Sequence, residues 1–217
     1  MKKSEVWFQF LLSTFIASIV VSNVITGKLI QFGNFTLPGA TLLYPITFLI
    51  TDIVGEIWGK ERGFRIVLWG FYGNVILLLG SLFILRAPAP GFFENQSAYE
   101  IVLGATPRIV LASMVAYLFS QLHDVWSFAF WKKITRDKHK WIRNNFSTIV
   151  SQLIDTGLFV LIAFAGVVPT AALWQIAFSQ YLFKFAIAIA DTPIFYYATA
   201  AIERSISKEE ESLGKQH

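Results

Sequence analysis

The chain has 217 residues, 55% of them hydrophobic and 15% charged, with a mean hydropathy of +0.56 and a formal charge of +4. That balance excludes an ordinary soluble domain. The basic residues sit in short clusters between apolar segments, where they set membrane orientation, so the positive charge is not read as a nucleic-acid surface. Cysteine is absent, which removes a disulfide framework, thiol catalysis and cysteine metal sites. The expected class is all-α, a polytopic membrane helical bundle.

Apolar windows of roughly 20 residues, enough to span a bilayer, predict six transmembrane helices over Val6 to Ile25, Thr41 to Trp58, Ile66 to Leu85, Ile109 to Trp131, Phe146 to Val168 and Ala171 to Ile202. Lys2 and Lys3 before the first window imitate a secretory signal. The run extends to Val21 and reaches Asn23 without a small-residue cleavage site, so a retained helix is expected. Residues 1–204 form the transport domain in this reading, and 205–217 a polar cytoplasmic tail, with SKEEESLGKQH at its end expected to fray. Fourteen basic residues fall on one side: Lys2, Lys3, Lys60, Arg62, Arg65, Lys132, Lys133, Arg136, Lys138, Lys140, Arg143, Arg204, Lys208 and Lys215. Lys28, Arg86 and Arg108 fall on the other, which places both termini and the loops after helices two and four in the cytoplasm. The outer stretch APAPGFFENQSAYE carries turn chemistry and is expected on the surface.

Inside the spans lie Asp52, Glu56, Asp124, Asp155, Lys184 and Asp191. Each acid or lysine at a helix centre costs about 2.5 to 3.5 kcal/mol to insert. Such a set persists only where side chains face a cavity, pair or take up a proton, and an aqueous pocket in the bundle is the economical reading. Helix-gluing ion pairs are the rival explanation for any one of them. Asp52 and Glu56 share a face near the cytoplasmic end of helix two, where Arg143 or the basic loops offer partners. Gln121 and Asp124, three apart on helix four, join a donor to a carboxylate and suit a planar, hydrogen-bonding solute.

Helix five carries the strongest signal. Asn144, Ser147, Thr148, Ser151, Gln152 and Asp155 recur at helical spacing in a segment that continues as LFVLIAFAGVV, so one face of a membrane helix is polar. The hydroxyls among them also bond back to their own helix and are individually uninformative. On helix six Lys184 and Asp191 share a face, and Pro193 removes a backbone donor beside Asp191, marking a break or hinge. Helix one ends at Asn23 and Lys28, and Lys28 snorkels or faces the site. Tyr44, Phe48, Trp126 and Tyr181 are candidate stacking partners for a flat ligand. His123, His139 and His217 are scattered without metal-ligand spacing, no nucleophile elbow exists, and no nucleotide-binding loop is present, so neither an enzyme nor a cofactor is expected.

Taken together, SNVITGK, TFLITDIVGEIWG, SQLHDVWSF, WIRNNFSTIVSQLIDTGLF and YLFKFAIAIADTPIFYY strongly resemble the VUT family of queuosine precursor transporters over nearly the whole chain. The resemblance implies an inner-membrane importer of 7-cyano-7-deazaguanine or a close deazapurine relative. A guanine-like edge presents N–H donors to a carboxylate, and its O6 needs a donor such as Gln, Asn or Lys. The substrate-binding candidates are therefore Asn23, Asp52, Gln121, Asp124, Thr148, Gln152, Asp155, Lys184 and Asp191, with Glu56, Arg143, Asn144 and Pro193 in structural or gating roles. Which acid takes the donor edge stays open. The implied partners are a small-molecule substrate and the lipid bilayer; a homo-oligomer and an energy-coupling partner both stay open. The rival function is the binding subunit of an energy-coupling-factor importer, for which Ser13 and Ala17 on helix one form a small-residue stripe. A lipid-directed membrane enzyme lacks a nucleophile and base.

Overall fold

The computed structural model describes residues 2–135 and 140–214, and the side chains within them except those of residues 60, 121, 122, 124–129, 131–135, 140–148, 188, 189, 191, 192 and 210–214. Helices dominate: α1 (Lys3–Ile25), α2 (Tyr44–Trp58), α3 (Lys60–Arg86), α4 (Gln96–Gly104), α5 (Thr106–Thr135), α6 (Lys140–Phe164) and α7 (Thr170–Gly214). Strands β1 (Leu29–Phe32) and β2 (Phe35–Pro38) form an antiparallel hairpin between α1 and a short 3-10 turn at Gly39–Leu42.

Four stretches among the described residues are long and apolar enough to cross a membrane: Lys3–Ile25, Gly39–Trp58, Glu61–Arg86 and Gln96–Ser120. The first three overlie the first three expected spans, and the fourth begins before the expected Ile109 and overlaps that span as far as Ser120. The fifth is represented by the shorter apolar stretch Ile149–Phe164, and the sixth lies within α7. The chain is a multi-pass helical protein, and its outer surface is suited to lipid. Along α3 the exposed residues include Leu68, Trp69, Tyr72, Ile76, Leu79 and Phe83, an apolar stripe that water would not stabilise.

Glycine permits the tightest approaches. Gly59, at φ 84°, is the single residue linking α2 to α3, a conformation that L side chains rarely adopt. On α3, a Cβ at Gly70 would stand 2.4 Å from a Phe15 ring carbon, so the Phe15 ring of α1 packs directly on the α3 backbone. Two apolar clusters hold the bundle. Leu11, Phe15, Ile50, Ile53, Val54, Ile66 and Ile202 join α1, α2, α3 and the later part of α7. Ile109, Ala112, Ala116, Phe159, Val160, Ala163, Phe164 and Ile176 join α5, α6 and the start of α7. Along α7, Gln180 and Lys184 fall between Ile176 of one cluster and Ile202 of the other.

The bundle's two ends differ. At one, Trp58 Nε1 donates to Ser4 Oγ at 2.9 Å, Arg62 reaches Glu5 at 3.1 Å, Trp7 Nε1 donates to Ser205 Oγ at 3.3 Å and the Lys3 backbone N–H donates to Glu209 at 2.6 Å. At the other, Arg108 donates to the carbonyls of Ile162 and Ala165 at 2.6 and 2.5 Å, a cation on the final carbonyls of α6.

Two expectations need correction. The stretch expected to fray from Ser207 continues as helix to Gly214, with Glu209 accepting from the Lys3 backbone N–H of α1. Nor does Pro193 break the last helix: α7 runs through it for 45 residues, about 68 Å. Proline forfeits one backbone hydrogen bond while its fixed φ remains helical, and packing against neighbouring helices makes that loss tolerable.

Candidate functional site

A cavity of about 320 Å3 lies between α1, α2, α3 and α5. Steps of three and four residues put Tyr44, Thr47, Phe48, Thr51 and Gly55 on one face of α2, and that face forms one wall. α3 supplies Phe64, Val67, Phe71 and Asn74 opposite, with Phe15 and Ile19 from α1 and Ser113 and Tyr117 from α5. The aromatic walls are ordered in pairs. Tyr44 and Phe48 meet edge-to-face at 5.4 Å, and Phe71 and Tyr117 at 5.1 Å, geometries that fix large apolar surfaces with a polar tip on each tyrosine. Asn74 is held from behind: Asn23 Nδ2 donates to Asn74 Oδ1 at 2.7 Å, with the residues 2% and 1% exposed.

Beside this cavity sits an ion pair. Lys184 Nζ of α7 donates to Asp155 Oδ2 of α6 at 2.6 Å and to Thr156 Oγ1 at 3.3 Å. It also stands 5.8 Å from the centre of the Tyr44 ring, within reach of a cation–π contact. Near the pair, His123 Nδ1 and Ser151 Oγ are 3.3 Å apart across α5 and α6. The amide oxygens of Gln152 and Gln180 are buried with no hydrogen-bond partner. Neither glutamine lines the cavity, whose wall of aromatic faces, hydroxyls and the Asn74 amide beside a cation and a carboxylate can receive a flat, polar-edged organic molecule.

The polar face expected on helix five is therefore turned inward along its described part: Ser151, Asp155 and Thr156 are buried and Gln152 is half-buried, while Ile149, Val150 and Leu153 are exposed. Asn23, Asp155 and Lys184 lie beside or behind the cavity as described. Asp52 and Glu56 are exposed, on the flank of α2 next to its cavity face, and neither lines the cavity. Pro193 is exposed within α7. The side chains of Gln121, Asp124, Arg143, Asn144, Thr148 and Asp191 lie outside those described, as does Trp126. Of the other aromatic candidates, Tyr44 and Phe48 line the cavity and Tyr181 does not. Sequence reasoning missed Asn74, Ser113, Tyr117 and Gln180. A lone amide in an otherwise apolar run, as at Asn74 in FYGNVILLLG, was the available signal.

Residues 38–198 match the family model described as "Putative vitamin uptake transporter". The "Probable queuosine precursor transporter" of Bacillus subtilis (strain 168) is 32% identical over 184 residues, covering 84% of this chain and 80% of that protein. The protein of the same description from Haemophilus influenzae is 28% identical over 201 residues, covering 87% of this chain and 83% of its own length. No solved structure matches. The matched segment takes in α2, α3, α5 and the Asp155–Lys184 pair, while Phe15 and Asn23 precede it. The chain belongs to the family so described, a family of transporters and not of enzymes.

Proposed function

We propose that this protein imports a queuosine precursor, 7-cyano-7-deazaguanine or a close deazapurine relative, across the inner membrane, using the cavity beside Asp155 and Lys184. The observation that carries this reading is the joining of an aromatic-walled cavity of about 320 Å3 to a buried ion pair. A bicyclic base offers two faces to Tyr44, Phe48, Phe71 and Tyr117 and a hydrogen-bonding rim to Asn74, Thr47, Thr51 and Ser113. Its donor edge calls for acceptors and its O6 for a donor such as Lys184. The names carried by the two relatives support the same cargo class.

The proposed topology has six spans with both termini in the cytoplasm. The basic clusters support it, as does the gathering of residues 3–5, Arg62, Ser205 and Glu209 at one end of the bundle. In this reading that end is the inner gate, and release of cargo requires α1 to part from the later part of α7. Ser13 and Ala17 are both exposed on α1, which favours a second reading in which an energy-coupling partner docks there and transport depends on it.

The test is uptake of labelled 7-cyano-7-deazaguanine into cells that neither synthesise it nor carry their own importer, with this chain as the added gene. Uptake above the empty-vector control is expected. Its absence in a host that supplies an energy-coupling module, as well as in one that does not, would remove both readings.

A further inference from the structure

Among the described residues, the buried side-chain amide oxygens left without a donor are those of Gln152 and Gln180. Gln180 is 7% exposed and stands one turn before Lys184 on α7, on the side where Ile176 packs against the α5–α6 cluster. Gln152 stands three residues before Asp155 on α6. Both amides thus lie about one turn from the ion pair, one on each of its two helices. A buried acceptor without a donor is a liability that native structures rarely leave. Among the described residues no donor reaches either oxygen, and a cargo that carries N–H groups supplies one.

The ion pair sharpens the assignment. An adjacent ring N–H and exocyclic amine are accepted in parallel by a carboxylate only when both of its oxygens are available. Oδ2 of Asp155 already takes Lys184 at 2.6 Å, so a parallel grip by Asp155 shares that oxygen with an ammonium. The amide oxygens carry no such competition. We infer that Gln180, together with Gln152, accepts hydrogen bonds from the N–H edge of the cargo, and that Gln180 makes the transporter select heterocycles bearing an exocyclic amine over those with hydrogen in its place. This inference rests on the reading of the bundle as a deazapurine importer. A site built to pair a polar group rejects the analogue that lacks it, because its own buried group is then left unpaired.

The experiment is uptake of labelled 7-cyano-7-deazaguanine, competed by the unlabelled compound and by its analogue with hydrogen replacing the 2-amino group. The wild-type protein should prefer the amine by about tenfold or more, the equivalent of one hydrogen bond. Gln180→Leu should bring the ratio of inhibitory concentrations close to one, and Gln180→Glu, which keeps an acceptor, should retain a preference. In detergent without cargo, Gln180→Leu should melt no lower than the wild type, since it removes an unpaired polar atom. A wild type that does not discriminate, or an unchanged ratio in Gln180→Leu, overturns the inference. So does a Gln180→Leu protein that fails to fold, because the amide would then be needed by the protein itself. A wild type that imports nothing overturns the importer reading instead, which separates the two failures.

Discussion

Two polar pairs cross the bundle at nearly the same distance and at very different cost. On the α1–α3 seam, two neutral amides meet at 2.7 Å; on the α6–α7 seam, an ammonium and a carboxylate meet at 2.6 Å with each side chain 11% exposed. An amide pair surrenders little hydration and returns about 1 kcal/mol. An ion pair surrenders several kcal/mol of hydration per ion, and well-packed apolar residues often do as well or better. Asn23 and Asn74 are explained by packing and by the orientation of one cavity residue. Asp155 and Lys184 are not, and their place beside the cavity is where a strong donor and a strong acceptor do what apolar residues cannot.

The largest effect expected from breaking this contrast is at Lys184. Lys184→Met leaves Asp155, 7% exposed, buried without its cation. Loss of about 3–5 kcal/mol is expected, read as a fall in the thermal midpoint of the detergent-solubilised protein, with uptake abolished. Adding Asp155→Leu should restore most of the stability and none of the transport. A double variant that transports at the wild-type rate would show that the pair only glues α6 to α7.

The amide seam should yield a smaller and separable effect. Asn23→Leu strands the Asn74 amide and should cost about 1–3 kcal/mol, whereas Asn23→Leu combined with Asn74→Leu should recover much of that. Because Asn74 lines the cavity and Asn23 only holds it, Asn23→Leu should raise the cargo concentration for half-maximal uptake a fewfold and leave the saturated rate nearly unchanged. Concentration-dependent uptake distinguishes this from general misfolding, which would lower the saturated rate in proportion to folded protein.

The same seam can be strained without touching a polar atom. Gly70→Ala places a methyl group 2.4 Å from the Phe15 ring, and overpacking of this kind costs about 1–3 kcal/mol. Phe15→Leu in the same chain should relieve it. Thermal unfolding of the single and double variants measures both, and a Gly70→Ala protein as stable as the wild type would mean that α1 and α3 separate easily.

Much of this was legible in the chain, for identifiable reasons. Span positions follow from apolar runs, and the inward face of α6 follows from 3.6-residue periodicity, both local properties. Lys184 shows the limit. Spacing placed it on a face with Asp191 of its own helix, whose side chain lies outside those described; the carboxylate it meets among the described residues is Asp155, 29 residues earlier on a neighbouring helix, and no local rule chooses between neighbouring helices. Asn74 and Gln180 carry no charge, so nothing in an insertion cost singled them out. Asp52 was singled out by that cost, yet α2 turns Thr47 and Thr51 to the cavity and leaves Asp52 on the exposed flank. The hairpin at Leu29–Pro38 carried its own signal, Gly33-Asn34 between two apolar pairs. That signal was too short to register beside twenty-residue windows.

The smallest effect is expected at the exposed counterpart of these pairs. Both terminal nitrogens of Arg62 reach Glu5 Oε1 at 3.1 Å, with side chains 36% and 44% exposed, and the guanidinium lies 5.0 Å from the centre of the Phe8 ring. Solvent and salt screen such a pair, so Glu5→Gln should cost about 1 kcal/mol or less. Arg62→Ala should cost somewhat more, since it also removes the stacked guanidinium. Raising the salt concentration should shrink the Glu5→Gln difference and leave the Lys184→Met difference in place, because a buried pair is poorly screened. If this end of α1 is the inner gate, weakening it has a second consequence that stability alone does not predict. Glu5→Gln should then favour the form open to the cytoplasm and change the rate of cargo release with little change in folded protein. Efflux from preloaded vesicles, compared at matched protein levels, is the measurement. Identical efflux from Glu5→Gln and wild type would leave the contact between α1 and α3 a structural one, with the gate carried by the α1–α7 contacts of Trp7 with Ser205 and of Lys3 with Glu209 alone.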